Sequence, residues 1–520
     1  MSKRNKNSFR PEITLLESRD VPSVAAVSLA GGILTVRANN LTTDIQVTQT
    51  PTSVVIKDQI TGHAFVYKPA SMQEIVVDAG AGTSVFTATA TNPTTARLVK
   101  FVGGAGTDTF IGQSGPVSMV AGSGNDTLLS IAGNDTMIGG SGTDYIKGGS
   151  GNNLLEAGTG NDYLNGGTGV ATIVGGGGDD TIVAINGQSD DTIFTAASAN
   201  NGVIWEDFIN GVGDFIVGST ANYTVQEVPG FANGTFGGVA NGPTNVLGGG
   251  TFTEPTPLPG NFYEAFGKRP LFATAGPTVQ DVKQFINKAG GGVNGTGTNL
   301  DDSWLLSALG AIAQQDPKVI EENVVDFGDG TYGVNLGGSY YRVDNQLPVN
   351  EYGDTVTAYA STGVSNSLWV PIVEKAFAYF GTQVGPASYA SLQASNGGAA
   401  VDVYLAFGAS STSVGSTPLN GPGGFPNSTE LGQNIESLFQ GGYSISVGLT
   451  ATVAGTSLNT GLAVTLSANR EYTVLSYNVN FNGVVTSVVL RDPSGTNPLG
   501  VTVTIANLFA SAGSLDFGLV

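Results

Sequence analysis

The chain has 520 residues, 77 of them glycine, with 20 lysines and arginines against 41 acids, a net charge of −21, one histidine and no cysteine. The missing cysteines exclude disulfides, thiolate metal sites and thiol nucleophiles. The charge argues against nucleic acid and anionic membranes as partners and suits a chain that binds cations.

In chain order, residues 1–22 are basic at their start (MSKRNKNSFR) and read as an export segment, although the apolar run that follows comes too late for a secretory core. Within them, LESRDVPS resembles a short N-terminal motif of large exported or surface bacterial proteins. Residues 23–100 alternate apolar and polar in ILTVRA, DIQVTQ and SVVIKD, which predicts strands leading into a larger β-structure. The lone His63, in ITGHAFVY, reads as an ordinary exposed or strand residue, and a single histidine argues against a histidine-based zinc site. No stretch reaches the roughly 20 apolar residues of a membrane span.

From Gly103 a period of nine holds through Val183, beginning GGAGTDTFI, GQSGPVSMV, AGSGNDTLL. The fourth position is glycine in all nine copies, and the eighth is always apolar, from Phe110 to Ile182. Glycine permits the tight turns, and stacking short strands buries a continuous apolar ladder. The pattern resembles the hemolysin-type, or RTX, calcium-binding repeat. That resemblance implies a parallel β-roll over residues 101–218, closing segment included, with two nonapeptides per coil and Ca2+ between stacked loops. Copies one, three, five, seven and nine then share an edge and carry Asp108, Asp126, Asp144, Asp162 and Asp180 at position six, behind the turn glycines Gly106, Gly124, Gly142, Gly160 and Gly178. The other edge carries Val117, Asp135, Asn153 and Ala171. We therefore expect one working calcium ladder and one edge that has largely lost it, the alternative being a metal-free glycine-rich solenoid.

Residues 219–275 (ANGPTNVLGGGTFTEPTPLPG) read as a Gly/Pro-rich linker. After it, helices are expected over TVQDVKQFINKA, SWLLSALGAIA, LWVPIVEKAFAYFG (amphipathic) and TELGQNIESLFQGG (Ser/Thr-capped, glycine-stopped). A hairpin with a Gly-Gly turn is expected in DGTYGVNLGGSYYRVDNQLPV, and the end is strand-rich through VTVTIANL.

LDDSWLLSALGAIA, YYRVDNQLPV, LWVPIVEKAFAYF, REYTVLSYNV and VVLRDPSG follow one another as in the calpain cysteine-protease core. The resemblance implies an α+β, papain-like core over residues 276–520, and hence a multidomain protein with an all-β solenoid ahead of it. It also places the family's cysteine, histidine, asparagine and oxyanion glutamine at Ser303, Arg470, Asp492 and Gly297. Arginine stays protonated and cannot serve as the base for a serine, so an Arg470–Asp492 ion pair across the former cleft is expected. Ser303 then reads as a helix-terminal residue beside Asp302. The expected protein is extracellular or on the cell surface, and it binds calcium. Its calpain-like domain is an inactive pseudoprotease with a protein or peptide partner in the old cleft. The alternative is an active calcium-dependent endopeptidase with a variant Ser303 site.

Overall fold

The computed structural model describes residues 24–39, 42–188, 190–195, 202–209, 211–229, 231–232, 254–258, 261–266, 269–272, 276–282, 300, 302–328, 330–349, 357–362, 366–380, 388–392, 398–493, 497–511 and 513–520. The basic segment 1–22, Gly297 and most of the helix expected over 278–289 lie outside them. The chain divides into two compact units: Met1–Thr181 with Thr192–Asn200 and Ile216–Ser219, and Ile182–Asp191 with Asn201–Phe215 and Thr220–Val520.

The first unit is a parallel β-solenoid. One sheet runs through Leu98–Val102, Val117–Ser123, Thr136–Ser141, Asn153–Thr159 and Ala171–Gly177. The other runs through Ser84–Ala90, Thr109–Gly112, Thr127–Ser130, Tyr145–Lys147 and Tyr163–Asn165. Within the repeats, pairing falls at a constant step: Thr127 opposes Thr109 on one side and Tyr145 on the other. Eighteen residues, two nonapeptides, therefore make one coil. Alternate eighth positions go to alternate sheets, and Phe110, Met119, Leu128, Met137, Ile146, Leu155, Leu164 and Ile173 are all fully buried. Burial of each such side chain is worth about 1.5–3 kcal/mol, and only stacked neighbours can supply it. The core starts as an aromatic stack, with Phe86, Phe101 and Phe110 at 5.5–5.6 Å centroid spacing. Outside, Tyr145 and Tyr163 lie flat on each other at 5.0 Å. The lead-in strands Ile33–Ala38, Thr43–Gln49 and Val54–Asp58 join these sheets.

The second unit is α+β. The closing strands Gly202–Asp207 and Tyr223–Val228 pair in parallel. Trp205 is fully buried, with its ring edge-on to Phe327 and Tyr340 and its Nε1 donating to the Glu322 carbonyl at 3.3 Å. The helices are α1 (Ser303–Gln315), α2 (Lys318–Asn323), α3 (Trp369–Phe380), α4 (Ala400–Ala406), α5 (Ser428–Gln440) and α6 (Ile505–Ala510). The hairpin of Thr331–Leu336 and Ser339–Asp344 turns on Gly337 and Gly338, both at positive φ, as read from the sequence. A larger antiparallel sheet includes Ser444–Leu449, Arg470–Val479, Val485–Arg491 and Val501–Thr504.

Four local readings change. Helix α3 is buried from Trp369 through Tyr379 and has no wet face. Its Lys375 is neutralised inside by Glu254 and Asp344, each at 2.6 Å. Helix α5 is capped by Asn427, whose side chain accepts from Glu430 N, and not by Ser or Thr. The expected strand VTVTIANL breaks at Thr504, whose hydroxyl caps α6. The stretch read as a linker contains the strand Tyr223–Val228, and its Leu258, Phe266 and Leu271 are buried in the second unit's core.

Candidate calcium ladder

Each first-edge turn carries a chain strand from one sheet into the other. Its fourth-position glycine is required by space. A Cβ on Gly142 would sit 1.6 Å from the Gly124 carbonyl oxygen, and one on Gly160 would sit 1.5 Å from that of Gly142. The turns thus stack so closely that their carbonyls point into the next coil.

The position-six aspartates stack with them. Asp126 Oδ1 accepts from Asp108 N at 2.7 Å, Asp144 Oδ1 from Asp126 N at 2.8 Å, Asp162 Oδ1 from Asp144 N at 2.7 Å, and Asp180 Oδ1 from Asp162 N at 3.1 Å. Asp108 closes the series on Ser84 N at 2.9 Å, and its Oδ2 takes Gly104 N at 3.3 Å. The other four aspartates have a second oxygen, Oδ2, that is buried with no hydrogen-bond partner. In the turn of Asp144 this oxygen lies 2.4 Å from where a Cβ of Gly139 would be. A buried anionic oxygen without a donor is costly. Burial accordingly raises these carboxyls, against the lowering effect of the backbone N–H each one accepts. Asp108 and Asp126 are raised, Asp144 and Asp162 reach about 6, and Asp180 reaches about 7.

The second edge is built differently. Asp135 Oδ1 accepts from Val117 N at 2.8 Å, but its Oδ2 takes the Ser130 hydroxyl. Asn153 Oδ1 accepts from Asp135 N at 3.1 Å, and its amide donates to the carbonyls of Gly148 at 2.8 Å and Gly151 at 3.1 Å. Val117 and Ala171 put only apolar atoms there.

Among the described residues there is no group of three or more His, Cys, Asp or Glu side chains placed to hold a metal. Any cation on the first edge would be held by one or two carboxylates together with turn carbonyls. Such an all-oxygen donor set suits a hard ion of calcium's size, and the four orphaned Oδ2 atoms are where a cation removes the largest penalty.

Sequence reasoning missed a further acidic cluster in the second unit. Asp207 Oδ2 accepts from the backbone N–H groups of Asn186, Gly187 and Gln188, and Asp214 accepts from Asp191 N and Asp207 N. Burial, and then the charge of Asp191, raises Asp214 to about 9. The signal was present in GDFIV, an aspartate before an apolar strand as in DDTIV.

Of the second unit's sequence-predicted site residues, Ser303 lies against the strand that begins at Arg470, and Arg470 lies beside Asp492. Ser303 opens α1 and is buried, and its Oγ accepts from Glu471 N at 3.4 Å. Thr473 Oγ1 on the same strand donates to the Ser307 carbonyl at 2.8 Å, which fixes α1 on Arg470–Val479. Arg470 Nη1 lies 3.7 Å from Asp492 Oδ1. Asp302 occupies the N-cap of α1, but its side chain makes no capping hydrogen bond. Its carboxyl is hydrogen-bonded to that of the fully buried Glu374, which burial and the Asp302 charge raise well above the usual range. Glu471 forms a similar pair with Asp516, with Ser446 donating to it at 3.3 Å. His63 is exposed in the first unit.

The RTX calcium-binding nonapeptide repeat (4 copies) matches residues 102–137 and 138–173. The chain therefore carries calcium-binding repeats, and they coincide with the regular eighteen-residue coils. No curated protein matches the chain. No helix among the described residues is long and apolar enough to cross a membrane.

Proposed function

We propose that the protein is an exported, calcium-loaded scaffold whose first-edge aspartates, Asp108 to Asp180, hold the ions, and whose second unit is a calpain-like pseudoprotease that binds a protein or peptide. The observation that carries the calcium reading is the row of four buried, partnerless Oδ2 atoms, repeated at one coil per step on a single edge. Export fits because millimolar external calcium would fill such sites and relieve the repulsion between stacked carboxylates.

The pseudoprotease reading rests on the motif order and on three substitutions. Ser303 has no thiol to ionise, Arg470 cannot accept its proton, and Asp492 is engaged by Arg470 at 3.7 Å. Glu471, next to the serine in space, has its carboxyl taken up by Asp516 and Ser446. Calcium binding is tested by titration calorimetry, with about four ions per chain expected; none, or about eight, would defeat the one-edge reading. The second unit is tested by casein hydrolysis with calcium and with chelator, beside Ser303→Ala. Hydrolysis lost in the variant would make the protein a serine-dependent endopeptidase.

A further inference from the structure

The two edges solve one problem in two ways, and the second does so without metal. On both edges a position-six side chain hands one oxygen to the N–H of the preceding coil: Asp144 Oδ1 takes Asp126 N, and Asn153 Oδ1 takes Asp135 N. The difference lies in the other terminal atom. In Asp144 it is an oxygen, buried and partnerless, lying against Gly139 five residues upstream. In Asn153 it is an N–H2, and it donates to the carbonyls five and two residues upstream, Gly148 and Gly151. These are the turn carbonyls that an ion beside an aspartate of this turn would also meet.

We propose that Asn153 is a built-in substitute for a bound calcium ion: its amide hydrogens supply to the turn carbonyls the positive charge that a cation supplies on the first edge. The coil at Asn153 therefore closes with no metal. Asp135, one coil earlier, is relieved by a different donor, the Ser130 hydroxyl on its Oδ2. The second edge is thus a metal-independent seam, and it holds coils in register while the first edge waits for calcium. This inference rests on the first-edge calcium reading, deepens it, and can fail separately from it.

The physical case is a count of donors. A turn whose acceptors face only acceptors pays the full cost of burying unmatched polar atoms. An amide converts one of those acceptors into two donors within the same shape. Asparagine and aspartate are nearly isosteric, so exchanging them alters donor count and charge while leaving packing alone. That makes the swap a clean test in either direction.

The test uses the full chain. Asn153→Asp should add one calcium per chain in a titration, and in chelator it should lower the melting temperature of the roll by roughly 5 °C, a loss that calcium restores. Ser130→Ala should likewise strip the donor from Asp135 and make that coil respond to calcium. Asn153→Ala, which offers neither carboxylate nor amide, should lose stability equally with calcium and with chelator. If Asn153→Asp keeps the wild-type stoichiometry and the wild-type melting temperature in chelator, the substitute role is overturned while the first-edge ladder stands. If the wild-type chain itself binds no calcium, the first-edge reading falls and takes this one with it.

Discussion

The two edges of the solenoid share backbone, coil length and glycine placement, yet only one carries a complete acidic ladder. On the first edge, four successive aspartates each leave one oxygen buried without a donor. On the second, the spare oxygen of Asp135 takes the Ser130 hydroxyl, and Asn153 is itself the donor, to the Gly148 and Gly151 carbonyls. On the proposed reading, the need for metal is set by donor arithmetic at one side-chain atom and not by the fold. A β-roll can therefore keep its shape while its dependence on calcium is tuned coil by coil.

The largest expected effect comes from removing calcium altogether. The first edge then faces uncompensated charge along its whole length, and circular dichroism in chelator should show lost β content; identical spectra with and without chelator would erase the contrast between edges. Next is Gly142→Ala. The added Cβ would collide with a backbone carbonyl that cannot move without its coil, and a loss of about 3–4 kcal/mol is expected by chemical denaturation. Asp144→Asn should copy the second edge onto the first. It should remove one calcium site and stabilise the metal-free roll by about 1–2 kcal/mol, read as opposite changes in melting temperature with and without calcium.

The pH dependence sharpens the contrast further. The first-edge carboxyls are raised in the fold, to about 6 for Asp144 and about 7 for Asp180. The folded roll thus holds protons that the unfolded chain has released. Without calcium its stability should be full below about pH 4 and fall as pH rises through 6 to 7. With calcium, which needs the ionised form, stability should instead rise over the same window. Parallel melting curves at several pH values check both slopes. The smallest effect concerns the second unit: Glu374→Gln removes the ionisable partner of Asp302, so the loss of stability expected as pH rises above the ordinary carboxyl range should shrink.

The roll was legible because its information is periodic. A glycine every ninth residue and an apolar residue four places later state the coil, the core and the stacking together, and the alternation of Asp108 through Asp180 against Val117 and Ala171 separates the edges. What the period hid is that Asn153 differs in kind from Ala171. Both read as a lost carboxylate, and only the hydrogen bonds to Gly148 and Gly151 distinguish them. In the second unit the hairpin glycines and three of the helices, α1, α3 and α5, were visible from local pattern, while α6 was read as strand. The burial of α3 on every side was not, because LWVPIVEKAFAYF contains two charges whose partners lie far away in sequence: Glu254 and Asp344 for Lys375, and Asp302 for Glu374. Long-range pairs of this sort leave no periodic trace. The Arg470–Asp492 pair was anticipated because both side chains were weighed as chemistry, one a fixed cation and one a carboxylate.

The flat stack of Tyr145 on Tyr163 has an optical consequence. Two parallel phenols one coil apart couple their electronic transitions, and that coupling decays steeply with separation. The pair is thus a molecular ruler laid along the solenoid axis. Near-ultraviolet dichroism from these two rings would register any stretch between adjacent coils as ions enter or leave, with no label attached to the chain.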